Sequence, residues 1–162
     1  MERTPFYASG LKFSCKRCSA CCRYDAGFVY LSQIDLQMLL DAVKMDKNEF
    51  ITEYCRWVID WSGEEVLSLK EKSNRDCVFW ENGCKVYSKR PLQCSTFPFW
   101  ENIISSRESW EIAAAGCPGI NTGDLFSEYS ISENLYKRAA QPIINKTDMI
   151  EKQGLRQFGG NV

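Results

Sequence analysis

The chain contains no histidine. That single absence excludes Ser-His-Asp and Cys-His hydrolases, HExxH metalloproteases and mixed Cys/His zinc fingers. Any acid/base chemistry would fall to Asp, Glu, Lys, Tyr or a metal-bound water. Excess charge is also missing: 20 Lys plus Arg against 21 Asp plus Glu leave a formal charge of -1. A chain without a basic excess is a poor general binder of polyanions, so nucleic acid ranks last among the partners considered. No uncharged stretch approaches the ~20 apolar residues of a membrane span, and no membrane association is expected. Residues 1–13 carry Glu2, Arg3 and Lys12 and no apolar run, so no export signal is read there and a reducing cytoplasm is the expected compartment. Nor is there a glycine-rich nucleotide loop.

What is present is an ordinary folding mixture, 44% apolar and 25% charged over 162 residues, together with nine cysteines. The length suits one core, and no repeat, low-complexity tract or linker divides the chain. The expectation is one α+β domain over residues 1–162, with short helices and β-hairpins held around a cysteine-rich metal site.

The local signals are as follows. Phe28-Val29-Tyr30-Leu31 is a short β-type run. Ser32 with Asp35 three residues on reads as a helix N-cap, with a helix to about Lys44 and an apolar face of Ile34, Met38, Leu39, Ala42 and Val43. Asp46 with Glu49 repeats the signal for a second helix that carries Phe50, Ile51, Tyr54, Cys55 and Val58 inward. Residues 57–70 read as a hairpin turning at Ser62-Gly63, and Cys77–Trp80 with Cys84–Tyr87 as a second one turning at Asn82-Gly83. Pro91 is placed at the first position of a helical turn through Cys94. Residues 100–104 and 110–114 are expected to pair as strands, a helix is expected near residues 132–141, and the remainder is expected to be loosely attached.

The chemistry lies in the cysteine spacing: Cys15-x2-Cys18-x2-Cys21-Cys22, then Cys77-x6-Cys84-x9-Cys94, then Cys117-Pro118-Gly119. A CxxC pair lets two sulfurs converge on one ion while the intervening amides donate to the thiolates. Core cysteines would follow a period of 2.0 or 3.6; these follow turn signals instead. Cys55 is different, because it falls on the inward face of the second helix and reads as a core thiol. Nine cysteines less Cys55 leave eight, which matches two four-cysteine sites, or about two zinc ions. Adjacent side chains diverge, so Cys21 and Cys22 either serve two metals or one of them bridges. Lys12, Lys16, Arg17, Arg23, Lys85, Lys89 and Arg90 lie near cysteines in sequence and could offset thiolate charge, or be solvated surface.

This ordered set resembles the CxxCxxCC cysteine-cluster family, the YkgJ-like zinc- or iron-chelating domain. The likeness runs over about residues 13–123, leaving a C-terminal helix and tail over 124–162. It rests on Phe13 before the first cysteine, Val29-x-Leu31-Ser32, Glu49-Phe50, Cys77-x-Phe79, Cys84-x-Val86-Tyr87-x2-Arg90-Pro91-x2-Cys94-x2-Phe97-Pro98-Phe99, and Gly116-Cys117-Pro118-Gly119. Where a basic residue often follows the cysteine at position 94, this chain has Ser95. The resemblance implies a metal site but no reaction, although flagellin lysine methylases share a similar cluster, which leaves open whether the chain is an enzyme.

Three readings compete. The first is a zinc protein in which Cys15, Cys18, Cys21, Cys22, Cys77, Cys84, Cys94 and Cys117 are ligands in a structural or metal-handling role. The second is an iron–sulfur or iron-dependent enzyme, since Cys15, Cys18 and Cys21 match the first three positions of a ferredoxin run and Cys117-Pro118 its end. The third is a zinc module that binds a protein or nucleic acid through Phe97, Phe99, Trp100 and Trp110 among Arg90 and Arg107.

Overall fold

The computed structural model describes residues 4–24 and 26–150. Two paired strands, two further paired strands and five helices make an α+β fold, as expected. In chain order they are β1 (Leu11–Phe13), α1 (Gln33–Val43), α2 (Lys47–Tyr54), β2 (Cys55–Ile59), β3 (Glu65–Leu69), α3 (Leu92–Thr96), α4 (Arg107–Gly116), β4 (Asp124–Phe126) and α5 (Glu128–Ala139). Single 3-10 turns span Ala20–Cys22 and Tyr87–Lys89.

α1 begins where the capping signal placed it. The Ser32 hydroxyl accepts from the Asp35 amide at 3.1 Å, and the Asp35 carboxylate accepts from the Ser32 amide at 2.9 Å. The helix is rotated from the expected face, however: Asp35, Leu36 and Leu39 are buried, while Ile34 is exposed. The cause is Asp35, which also accepts from the Leu92 amide at 2.7 Å and so must face the protein interior. α2 ends at Tyr54, earlier than the inward pattern suggested, and Cys55 opens β2. β2 and β3 pair antiparallel, Cys55 opposite Leu69 and Ile59 opposite Glu65. Residues 28–31 join this sheet only through isolated contacts: the Leu31 amide donates to Leu67 and the Leu69 amide to Val29.

Five further expectations are corrected. The segment from Cys77 to Tyr87 is a chain of tight turns with one bridge, Trp80 to Cys84, rather than a laddered hairpin. Asn82 and Gly83 do take positive φ, at 54° and 138°, as their turn signal required. Pro91 caps α3 instead of starting it. Residues 107–116 form a helix, not a strand: Ser106 caps it by accepting from the Ser109 amide at 3.0 Å, and Trp110 is its buried residue. The stretch after α5 is attached, at least to residue 150. Ile144 accepts from Leu67 and donates to Leu31, both through its backbone, and its side chain is buried. The expected C-terminal helix starts earlier, at Glu128, capped by Ser127. Residues 151–162 lie outside the described residues.

Two apolar clusters result. Leu31, Leu36, Leu39, Phe50, Cys55 and Leu67 centre one beneath α1, α2 and the β2–β3 sheet. Leu11, Phe99, Ile103, Trp110, Ile120 and Ile131 centre the other, between the β1–β4 sheet, α4 and α5. Phe99 and Trp110 stack at 6.0 Å within the second cluster, so those aromatics are core and not an exposed platform. Among the described residues no helix is long and apolar enough to cross a membrane.

Candidate metal centre

The cysteines lie on the segments between these clusters. Cys15 and Cys18 follow β1, Cys21 and Cys22 sit on a 3-10 turn, Cys77 and Cys84 flank the turns after β3, Cys94 is on α3, and Cys117 caps α4. Non-local hydrogen bonds draw them together. The Cys77 amide donates to the Cys22 carbonyl at 2.8 Å, and the Ser14 amide to the Gly119 carbonyl at 3.0 Å. The first joins the CxxCxxCC run to the middle cysteines, and the second joins it to the Cys117 loop.

The outcome is a cleft of about 480 Å³ whose walls include Cys15, Cys18, Cys21, Cys22, Cys84 and Cys117. Phe13, Phe97 and Ala113 supply apolar wall, and Lys16 and Arg17 lie at its edge. Cys77 and Cys94 are half-buried and do not line the cleft. All nine cysteines are free thiols. Among the described residues no three Cys, Asp or Glu side chains are arranged to hold an ion as they stand, so the sequence's eight candidates share a locality without forming a ligand cage. The donor chemistry fits a thiophilic metal: sulfur alone, with no imidazole.

Electrostatics show which thiols are neighbours. The Cys21 and Cys22 sulfurs are 3.8 Å apart, within reach of an S–H···S hydrogen bond. Hydrogen bonding from Cys22 draws the Cys21 thiol down to about 7, helped by the Arg90 charge. Cys22, as the donor, is pushed up, first by that bond, then by burial and by negative charge at Cys21, Cys94 and Cys77. Burial pushes Cys77 up, with Cys84 and Cys21 adding to it. Burial does the same for Cys94, with Cys77, Cys21 and Cys84 adding to it. Cys117 is raised by burial and, more weakly, by Cys18 and Cys21. Cys21 is common to these influences: it acts on Cys22, Cys77 and Cys94, and also on Cys117. Cys55 stands apart in the core, buried and raised to about 12.

The basic residues mostly act at one remove. Arg23 pairs with Asp76 at 3.1 Å and lies 3.8 Å over the Trp80 ring. Lys85 pairs with Glu81. Arg90 donates to the Tyr87 carbonyl at 2.8 Å, and both Arg90 and Arg17 lie over the Tyr87 ring, at 4.1 and 4.4 Å. Tyr87 thereby ties the Cys15–Cys18 loop to the Cys84–Pro91 segment, a role the sequence reading missed by placing it on a strand. Gln93 was missed too. Its amide oxygen accepts from the Tyr30 amide at 3.0 Å and its amide nitrogen donates to the Phe28 carbonyl at 2.7 Å, fixing α3 and thus Cys94. No spacing signal marks a glutamine beside a cysteine for such a role.

No solved structure matches the chain significantly. Residues 14–118 match the model of the CxxCxxCC family, described as a "putative zinc- or iron-chelating domain", and the chain belongs to that family.

Proposed function

We propose that the chain binds zinc through its eight motif cysteines in two adjacent thiolate sites, and that the metal is structural. The inner site is assigned to Cys22, Cys77, Cys84 and Cys94, the outer to Cys15, Cys18, Cys21 and Cys117. The observation that carries this reading is the single cleft that gathers six of these cysteines from separate segments of the chain. Adjacent cysteines at positions 21 and 22 then face different ions, which removes the strain of closing both on one tetrahedron.

Two closed zinc sites would pin residues 15–22 to residues 77–117, of which residues 15–22 and 77–91 have no regular structure beyond 3-10 turns. Structural zinc is worth ~10–16 kcal/mol of apparent binding in zinc-finger peptides, enough to hold such loops. Within this proposal the protein works in the cytoplasm, where its thiols stay reduced. Metal handling and a protein partner are compatible with it; nucleic acid is not part of it.

The test is elemental analysis of protein purified anaerobically without chelator. The expected result is about two zinc per chain and a colourless solution. A brown protein with iron, sulfide and broad absorbance near ~400 nm would replace zinc by an iron–sulfur cluster. No zinc and no iron would overturn metal binding altogether.

A further inference from the structure

A side chain from outside the family-matched segment reaches the interior face of α3. Arg138 lies on α5, twenty residues past the end of the match at residue 118. One guanidinium nitrogen, Nη2, donates to Gln93 Oε1 at 3.1 Å. That oxygen belongs to the residue before Cys94 and already accepts from the Tyr30 amide. The other terminal nitrogen, Nη1, is buried and has no hydrogen-bond partner among the described residues. An arginine with a dry, unpaired N–H is costly unless a negative group completes it. Asp35, whose carboxylate accepts from Ser32 and Leu92, is the nearest-acting negative group. Cys94 also lies within range of the Arg138 charge.

We propose that Arg138 is a positioning residue for the inner metal site: through its hydrogen bond to Gln93 it fixes α3 and with it Cys94. The assignment rests on the zinc reading above. It also gives the C-terminal helix a task beyond covering apolar surface.

The experiment is zinc competition against a coloured chelator, with cobalt(II) loading as a spectroscopic readout, on the full chain. Arg138→Gln is expected to lose one zinc equivalent about 10–100-fold more readily, the usual effect of removing a partner of a ligand. The other equivalent should be unchanged. Arg138→Lys, which keeps charge but loses the fork, should fall between wild type and Arg138→Gln and shift the thiolate-to-cobalt absorption band. Lys137→Gln, on the exposed face of the same helix, should behave as wild type. A folded Arg138→Gln with wild-type competition curves would overturn the proposal. If that variant does not fold, an Arg138→Lys protein with an unshifted band and unchanged zinc affinity overturns it equally. Wild-type protein that takes up neither zinc nor cobalt would instead remove the zinc reading itself.

Discussion

The backbone amide of Cys77 donates to the carbonyl of Cys22 at 2.8 Å, which joins two cysteine motifs separated by more than fifty residues before any side chain is considered. Cys22 is therefore held beside the middle cysteines by main chain, and both it and Cys21 line the cleft.

Cys22→Ser is accordingly expected to be as damaging to metal content as Cys18→Ser, but at a different site. Each variant should keep about one of two equivalents under reducing conditions. Full metal retention by Cys22→Ser would show that the vicinal cysteine is no ligand, and the division into two sites would fail.

Cys55→Ala should keep all the metal and cost only packing, ~1–2 kcal/mol in denaturant unfolding. A pH effect accompanies it. Burial raises the Cys55 thiol to about 12 in the folded protein from an ordinary 9.0. A group raised on folding contributes stability fully below its unfolded value and loses it above. Wild-type stability should thus decline between pH 9 and 12 more steeply than that of Cys55→Ala, when unfolding is followed across that window. Equal slopes would show that Cys55 is not held neutral by burial.

Gly119→Ala should loosen the site without touching a ligand. A Cβ at Gly119 would run into the Ser14 carbonyl oxygen, which is backbone and cannot swing aside. The Ser14–Gly119 bond that brings Cys15 and Cys117 together must then stretch. We expect a lower unfolding temperature and earlier loss of one zinc equivalent to chelator. Wild-type values for both would mean that this loop has slack.

Arg90→Lys is expected to destabilise by ~0.5–1.5 kcal/mol, because the planar group both stacks on Tyr87 and donates to its carbonyl. Arg90→Ala should cost at least as much in thermal unfolding. A change under ~0.5 kcal/mol for both variants would return Arg90 to the solvated surface.

The features legible in the chain were those set by local physics. Ser32 with Asp35 and Asp46 with Glu49 placed two helix starts, because a cap is a contact between residues three apart. Ser62-Gly63 fell within the β2–β3 turn. Cys55 is a core thiol, as expected, although it opens β2 and does not lie on the inward face of the second helix. Residues 110–114 were misread because Trp, Ile and Ala suit a buried helix stripe as well as a strand, and only the Ser106 cap distinguishes the two.

By itself, then, the sequence determined which groups are on offer: thiols clustered by turn chemistry and no imidazole, in a chain of balanced charge. Ligand type is a property of residue identity and needs no fold. Only the tertiary structure decided which thiols are neighbours, because that depends on bonds such as Cys77 to Cys22 and Ser14 to Gly119, whose partners are 55 and 105 residues apart. It also decided that Arg138 reaches Gln93 from a helix beyond the cysteine motifs. No periodicity encodes such a meeting, since it follows from how α5 packs on α3 and not from any spacing along the chain.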